Sequence, residues 1–260
     1  MTGPVVEVED AGYAAGGRHL LKEVAFTLEA GTLTAFVGPN GAGKSTMLGL
    51  LAGDLEPGEG AVRIGGRAPT AWPARALARE RSVMLQRYGA SFGFSVAEVV
   101  AMGRLPHDAD DPLDRGIVAE AMAESDLTAL RRRDVTTLSG GEHARVAFAK
   151  TAAQTTPVIL LDEPTASLDL RHQEDLLRSA RSRRDDGATV VAVLHDLNLA
   201  SRYADRVLVF SNGRLVADGA SAEVLTPERV EAVYGQRVHS LPHPETGAPV
   251  LVPVHSGGRR

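Results

Sequence analysis

Apolar and polar positions follow two different periods along the chain. Residues 6–9 alternate apolar and acidic side chains, which is the period of a half-buried strand. Short apolar runs between turn residues predict further strands at 20–28, 33–37, 61–64, 82–85, 158–161, 188–194 and 207–210. Helical spacing predicts helices at 47–52, 74–80, 170–182 and 197–203, with a last short helix starting at 226–228. This alternation implies an α/β fold with a mostly parallel sheet and helices on its faces.

The middle of the chain departs from this alternation. From about residue 87 to residue 153 the pattern predicts helices only, at 96–102, 115–124 and 141–153. We therefore expect one domain over 1–260, with a helical subdomain inserted at about 87–153. Tyr13 is expected in a Gly/Ala-rich turn, and the Pro/Gly/His-rich stretch 241–260 is expected to be irregular.

The stretch 38–46 carries the strongest chemical signal. It reads Gly38-Pro39-Asn40-Gly41-Ala42-Gly43-Lys44-Ser45-Thr46 and stands between a predicted strand and a predicted helix. In that setting, glycines let the backbone approach a nucleotide closely, so that successive N–H groups can point at phosphate oxygens. Lys44 would reach the β- and γ-phosphates, and the hydroxyl of Ser45 would bind Mg²⁺. A glycine-rich turn that binds nothing is the alternative, but the strand–loop–helix context favours nucleoside triphosphate binding.

Two carboxylates follow the predicted strand at 158–161. Asp162 and Glu163 would lie at the C-terminal end of that strand, where ligands bind in α/β sheets. Asp162 suits Mg²⁺, which takes oxygen ligands, and Glu163 suits a base that polarises the attacking water. Such a pair is often only a solvated turn, but the phosphate-binding loop favours the catalytic interpretation.

A glycine pair opens the helix that is predicted to end at residue 153. The motif reads Leu138-Ser139-Gly140-Gly141-Glu142, in which Ser139 is a good N-cap and the glycines would expose backbone N–H groups at the positive helix end. A simple capping motif is the alternative. Only this helix and a short turn separate the motif from Asp162 and Glu163, which favours a role at the phosphate site.

Composition narrows the class of protein. The net charge is −5 and the pI is near 5.9, so no basic surface for nucleic acid is expected. The basic runs 131–133 and 181–184 lie next to acidic residues and are interpreted as solvated helix ends. Cysteine does not occur, no apolar run approaches the roughly 18 residues of a membrane span, and the N-terminus lacks a signal pattern. The chain is expected to be soluble and to act at a membrane only by docking on a partner.

The motifs, in this order and at these spacings, resemble those of the ABC transporter ATPase family. The resemblance covers nearly the whole chain and rests on 38–46, Gln86, 138–142, Asp162-Glu163, Ser167-Leu168-Asp169 and His195. It implies a P-loop NTPase with a RecA-like core, an antiparallel β portion and an inserted helical subdomain, with ATP and Mg²⁺ as cofactors. The chain departs from the family at 143–144, where Gln-Gln is frequent, and at Lys150, where Arg is common. Neither position touches phosphate in the family.

The resemblance also implies individual roles. Tyr13 would stack on adenine, a contact of about 1–3 kcal/mol for a base on an aromatic ring. Gln86 would sense Mg²⁺ and the attacking water and couple the site to the membrane partner. His195 would contact the γ-phosphate. Each of these residues has a purely structural alternative when it is considered alone.

A second set of implied roles requires a second subunit. Ser139, Gly140 and Gly141 would serve the ATP that is held by Lys44 of the opposite subunit, and Asp169 would contact that subunit. Two chains would therefore close head-to-tail as a homodimer. The implied partners are two membrane permease subunits and a substrate-binding protein, which would place the chain peripherally on the cytoplasmic face of the cell membrane.

Importers of metal chelates resemble the chain most closely. The stretch 99–107 is similar to importers of haem, ferric siderophores and cobalamin. Three further stretches are similar to haem-importer ATPases: 72–75 with 77–79, 195–200, and 243–247. Haem import is therefore the expected function, with siderophore or cobalamin import as alternatives. Scattered histidines lack paired metal spacing and are interpreted as solvated loop residues rather than haem ligands; they are His107, His239, His243 and His255.

Two other classes of ABC protein are weighed against a transporter subunit. A translation or DNA-repair ATPase typically carries tandem ATPase domains or a long coiled-coil insertion, and neither is present in the sequence. A regulatory nucleotide-binding subunit without turnover is disfavoured by Glu163 and His195.

Overall fold

The computed structural model describes residues 5–85, 93–107 and 113–254. In these ranges the strands are β1 (Val6–Ala15), β2 (Arg18–Leu28), β3 (Leu33–Val37), β4 (Glu59–Ile64), β5 (Arg81–Met84), β6 (Val158–Asp162), β7 (Thr189–Val193), β8 (Arg206–Ser211), β9 (Arg214–Gly219), β10 (Val238–Pro242) and β11 (Pro249–Pro253). The helices are α1 (Lys44–Ala52), α2 (Ala74–Glu80), α3 (Val96–Ala101), α4 (Asp114–Glu124), α5 (Gly140–Ala153), α6 (Leu170–Asp185), α7 (Leu197–Tyr203), α8 (Ser221–Val224) and α9 (Pro227–Tyr234). None of these described helices combines the length and the apolar character needed to cross a bilayer.

A six-stranded sheet lies at the centre, in the order β5-β6-β7-β3-β8-β9. Its pairs are parallel except for the edge pair β8–β9. Strands β3 and β7 are buried along their whole length, which explains their continuous apolar runs. Because parallel strands bring their C-terminal ends to one edge, the segments that follow β3, β6 and β7 meet there. The predicted mixed α/β fold is confirmed.

A second, antiparallel sheet has the order β2-β1-β4. Its buried side chains form one apolar layer with α1 and with one face of the central sheet. Within that layer the ring of Phe36 meets Phe26 edge-on at 5.6 Å and lies 5.1 Å from the ring of Phe210, which is a favourable spacing for aromatic pairs. This packing fixes α1, and therefore the loop that leads into it, between the two sheets.

Helices α3, α4 and α5 enclose a separate apolar cluster. Helix α5 has a second buried face, which includes Phe148 and joins the core of the central sheet. Arg104 ties the short turn after α3 to this helix, since its guanidinium donates to the carbonyl oxygen of Ala153 at 2.9 Å and to Asp114 at 2.7 Å. These helices are the helical portion that the sequence predicts, and its limits at 87 and 153 stay a prediction.

Tyr13 lies in β1 and not in a turn, so that prediction was wrong. The strand pairs with β2 on one side and β4 on the other, and Tyr13 is opposite Leu21. The register of pairing with β2 shifts on either side of Ala11, which accommodates the small residues within the strand. Pairing on both sides of β1 therefore outweighs the local preference for a turn. The aromatic side chain is half-buried against the apolar layer beneath the sheet.

The C-terminal stretch is also more regular than its composition indicates. Strands β10 and β11 form an antiparallel hairpin from Val238 opposite Pro253 to Pro242 opposite Pro249. The turn is held by the ring of His243, whose Nδ1 accepts from the backbone N–H groups of Glu245 and Thr246. Prolines at the strand ends leave the ladder between them intact, which is why a Pro-rich sequence still pairs.

Candidate nucleotide-binding site

Glycines in unusual conformations shape the loop between β3 and α1. Gly38 has a φ of 147° and Gly43 has a φ of 104°. A Cβ on Gly38 would lie 2.2 Å from the carbonyl oxygen of Phe210, and one on Gly43 would lie 2.8 Å from that of Leu20. Only glycine permits both the backbone angle and the close approach, so the loop fits tightly between β2 and β8.

Lys44 is the first residue of α1, and its side chain is buried. Its ammonium donates to the carbonyl oxygens of Gly38 at 2.6 Å and Pro39 at 3.0 Å. Burial lowers the pKa of Lys44, while the carboxylates of Glu163 and Asp162 act in the opposite direction. The ammonium is thus held across the mouth of the loop, where it can exchange carbonyl oxygens for phosphate oxygens.

Ser45 and Asp162 form a hard oxygen pair beside that lysine. The Ser45 hydroxyl donates to Oδ1 of Asp162 at 3.1 Å. Burial raises the pKa of Asp162, and the hydrogen bond from Ser45 opposes this shift. The described residues hold no cluster of three or more metal-ligating side chains. A hydroxyl and a carboxylate fit Mg²⁺, which completes its octahedron with waters and substrate phosphates rather than with an all-protein cage.

Glu163 and His195 face each other across the ends of β6 and β7. Nε2 of His195 lies 2.7 Å from Oε1 of Glu163. Glu163 has a φ of 50°, a left-handed conformation that is rare for a residue with a side chain. Such strained backbone persists where the surrounding structure holds it, and it is concentrated at functional sites. The Glu163 side chain is only 16% exposed, which shields a base from bulk water.

Lys44, Ser45, Glu163 and His195 line one cavity of about 220 Å³, and Asp162 adjoins it through its hydrogen bond with Ser45. Its described lining consists of Leu20, Asn40, Gly41, Ala42, Gly43, Lys44, Ser45, Thr46, Glu163 and His195. Leu20 is the member that the sequence did not predict, since an apolar strand residue carries no signal of ligand contact. A larger and more open cavity of about 490 Å³ lies by α3 and α4, but no phosphate-binding loop reaches it. The residues predicted to bind and hydrolyse the nucleotide therefore line the smaller cavity.

The glycine pair of α5 lies outside that cavity. Ser139 caps the helix in a capping box, accepting from the backbone N–H of Glu142 at 3.3 Å while its own N–H donates to the Glu142 carboxylate at 2.7 Å. A Cβ on Gly141 would lie 3.2 Å from the carbonyl oxygen of Ser167, so the helix start packs against the loop after β6. The described residues that line the Lys44 cavity include neither Ser139 nor the glycines.

Asp169 is likewise not among the described residues that line this cavity. It caps α6 by accepting from the backbone N–H of His172 at 2.9 Å, and the His172 ring lies 2.8 Å from the same carboxylate oxygen. These hydrogen bonds lower the pKa of Asp169. Tyr13 is also absent from the described lining, and Gln86 lies outside the described residues. Among the described residues, one chain therefore brings together the loop, Asp162, Glu163 and His195.

Known proteins resemble the chain over nearly its whole length. Two relatives, each called Hemin import ATP-binding protein HmuV, come from Nocardia farcinica (strain IFM 10152) and Streptomyces coelicolor (strain ATCC BAA-471 / A3(2) / M145). The first is 49% identical over 255 residues, covering 96% of this chain and 87% of that protein. The second is 50% identical over 243 residues, covering 93% of this chain and 87% of that protein.

Solved structures agree with the sequence relatives. An inward-facing transporter described as of the metal-chelate ABC type matches with a TM-score of 0.82 and 26% identity, over 98% of this chain and 99% of that one. A dimeric ATP-binding cassette with ADP and phosphate matches with a TM-score of 0.75 and 26% identity, over 83% and 98%. The family model described as ABC transporter matches residues 21–166. The chain therefore belongs to the ABC transporter family, as an ATP-binding subunit with the ATPase activity of that family.

Proposed function

We propose that this chain hydrolyses ATP to drive haem import through a separate membrane permease. The observation that carries the proposal is the near-complete match, at 49–50% identity, to proteins called hemin import ATP-binding proteins. Ferric-siderophore or cobalamin import remains the alternative, because the match in fold extends to a metal-chelate transporter whose printed description does not say which chelate it carries. No residue of the chain is expected to contact the cargo.

Hydrogen bonds join one stretch that is similar to haem-importer ATPases, 72–79, to the stretch 99–107, which is similar to importers of haem, ferric siderophores and cobalamin. On α2, Arg75 donates to the carbonyl oxygens of Pro106 at 2.9 Å and His107 at 2.5 Å, and Arg79 donates to Pro106 at 2.6 Å. The ring of His107 is 2.8 Å from the carbonyl oxygen of Gln154, so it is engaged within the fold rather than solvated. These two stretches therefore form one structural unit, which supports treating them together as a feature of the metal-chelate importer group.

In the proposed reaction, four side chains at the cavity and the adjoining carboxylate of Asp162 have distinct tasks. Lys44 gives up its carbonyl partners to bind the β- and γ-phosphates, and Ser45 and Asp162 hold Mg²⁺, which neutralises phosphate charge when bound. Glu163 accepts the proton of the attacking water. His195 contacts the γ-phosphate and orients Glu163 through their 2.7 Å contact.

Gln86 and Tyr13 complete the set of residues proposed to act on the nucleotide. Gln86 would sense Mg²⁺ and the attacking water, and Tyr13 would stack on adenine. Both roles rest on the family resemblance.

A second copy of the chain is proposed to complete each site. In the family, the Ser139-Gly140-Gly141 motif serves ATP that is bound by the opposite subunit. The helix behind this motif carries roughly half a positive charge at its N-terminus, which suits a γ-phosphate. Ser139, Gly140, Gly141 and Asp169 lie outside the described lining of the Lys44 cavity, which supports a head-to-tail homodimer.

The permease is proposed to dock on the face around the helical portion, with a pair of permease subunits and a substrate-binding protein completing the importer. Large apolar side chains are exposed in or next to the helical portion of the chain: Leu85 (54%), Phe94 (40%), Leu105 (75%) and Leu113 (69%). Exposed apolar side chains are expected at a surface that a partner covers. With a net charge of −5, nucleic acid is not a proposed partner. Docking would hold the chain peripherally on the cytoplasmic face of the membrane.

Reconstitution tests the proposed transport function. The chain is combined in liposomes with a candidate permease of the metal-chelate importer type, and uptake of haem, a ferric siderophore and cobalamin is measured with ATP. We expect ATP-dependent uptake of haem only, and no uptake with Lys44→Ala. Uptake of another chelate would overturn the assignment of haem as the cargo. Failure of the permease to bind the chain would overturn the proposed role in transport.

A further inference from the structure

The C-terminal hairpin is bonded to helix α7 through side chains of that helix. The amide of Asn198 pairs with both backbone groups of Leu251, accepting from its N–H at 2.7 Å and donating to its carbonyl at 3.3 Å. About one helical turn further along α7, the Ser201 hydroxyl donates to the carbonyl oxygen of Pro249 at 2.7 Å. Leu251 is itself buried in the core of the central sheet. Strand β11 is thus fastened to α7 along two of its residues.

Helix α7 begins at Leu197, and only its cap, Asp196, separates it from His195. The carboxylate of Asp196 accepts from the backbone N–H groups of Asn198 at 2.7 Å and Leu199 at 3.2 Å. On the other side of His195, the N–H of Leu194 donates to a carbonyl oxygen of β3 at 3.0 Å. Since α7 has only seven residues, it depends on such outside contacts for its position. Asn198 therefore supplies a fixed point within the first turn after His195.

A second part of the C-terminal segment reaches the phosphate-binding loop. Tyr234, the last residue of α9, packs on the core of the central sheet, and its hydroxyl faces the backbone of Gly38. Burial raises the pKa of Tyr234 to about 12. Among the described residues the buried hydroxyl has no completed hydrogen bond. The segment thus bonds to the helix that follows His195, and its buried Tyr234 lies beside the start of the loop.

We propose that the C-terminal segment 227–254 braces the nucleotide site, and that Asn198 is a positioning residue that sets the direction of His195. Through the cap at Asp196, the pairing of Asn198 with β11 holds the His195 ring against Glu163. This inference rests on the proposed function, because it takes His195 to act on the γ-phosphate. The tail then affects the rate of hydrolysis rather than the affinity for ATP.

The competing interpretation is that Asn198 merely satisfies the backbone of β11. Loss of its side chain would then lower stability and lower the active fraction, whatever residue stands at 195. A positioning role predicts a different result. The loss of activity caused by Asn198→Ala should disappear when residue 195 has no imidazole ring to position. A double-mutant cycle separates the two interpretations.

The test compares Asn198→Ala with wild type, in the background of His195 and of His195→Ala. With His195 present, we expect kcat to fall about tenfold and KM for ATP to stay within about twofold, as for a small misplacement of a catalytic group. In the His195→Ala background, single-turnover rates with radiolabelled ATP should not change further. Asn198→Asp keeps the shorter bond from Leu251 and suits a helix N-terminus, so it should fold and lose about threefold.

Gln154→Ala is the matched control. Its amide donates to the carbonyl oxygens of Ala78 at 2.6 Å and Arg81 at 3.2 Å, so it joins distant parts of the chain as Asn198 does but lies outside the C-terminal segment and the cavity lining. We expect its kcat to stay at the wild-type value. An equal loss from Asn198→Ala in both backgrounds, or no loss with His195 present, would overturn the positioning role. Wild-type turnover by His195→Ala alone would instead overturn the proposed role of His195.

Discussion

Replacing Glu163 with glutamine is expected to leave ATP binding intact while lowering turnover about 100- to 10,000-fold, the contribution typical of a positioned general base. Glutamine keeps the size and shape of the side chain, so it can keep the left-handed backbone at φ 50° and the contact with His195. It cannot accept a proton from water. ATP that is bound but not hydrolysed should then hold two subunits together, so the variant should accumulate as a closed dimer.

The measurement pairs steady-state ATPase rates with light scattering in the presence of ATP. Glu120→Gln makes the same chemical change on an exposed part of α4 and should behave as wild type. Wild-type turnover by Glu163→Gln would remove Glu163 from its role. Lost turnover without a dimer would separate the base from the proposed dimer closure.

Replacing Lys44 with alanine is expected to weaken ATP binding about 10- to 100-fold, the cost of losing charge-assisted hydrogen bonds to phosphate. Desolvation lowers the pKa of Lys44, and the two neighbouring carboxylates counteract this. The folded chain already directs this ammonium at oxygen atoms, 2.6 Å and 3.0 Å away. Its removal should therefore affect affinity more than the fold.

Fluorescent ATP titration measures the affinity, and thermal unfolding checks the fold. Lys22→Ala removes an exposed lysine of β2 and provides the control, with unchanged affinity. Unchanged ATP affinity in Lys44→Ala would count against the phosphate-binding assignment of residues 38–46.

The chemistry at the sheet edge could be predicted because it depends on local sequence. Gly38 and Gly43 are needed by the backbone itself, as a Cβ at either position would collide with a neighbouring strand. Asp162 ends the apolar strand β6, Glu163 follows it, and His195 comes shortly after the apolar strand β7. Once those strands are parallel neighbours, their ends must meet at one edge.

Features that depend on contacts between distant parts of the sequence could not be predicted. Tyr13 stands in a stretch with turn composition, and only its two neighbouring strands make it extended. Strand β9 was not predicted, because its alternation of exposed and half-buried residues has meaning only beside β8. The link between Asn198 and Leu251 joins positions 53 residues apart. No single-sequence pattern reports such a contact, since a polar residue in the first turn of a helix is ordinary.

The sharing of each nucleotide site between two subunits is tested most directly by mixing two variants that both carry Glu163→Gln. One also carries Lys44→Ala and the other carries Ser139→Arg. In a head-to-tail dimer, their heterodimer has one site in which Lys44 and Ser139 are both native. If Lys44→Ala and Ser139→Arg are instead placed on one chain and its partner carries Glu163→Gln alone, both sites are damaged.

Native mass spectrometry in the presence of ATP measures which dimers form and how many ATP molecules each one holds. We expect the Lys44→Ala chain and the Ser139→Arg chain each to stay monomeric alone, and their mixture to form a heterodimer with one trapped ATP. The second mixture should form no heterodimer, only the homodimer of the chain that carries Glu163→Gln alone. A first mixture that forms no heterodimer, while the Ser139→Arg chain binds and holds ATP alone, would show that one chain completes its own site and would contradict the shared-site dimer.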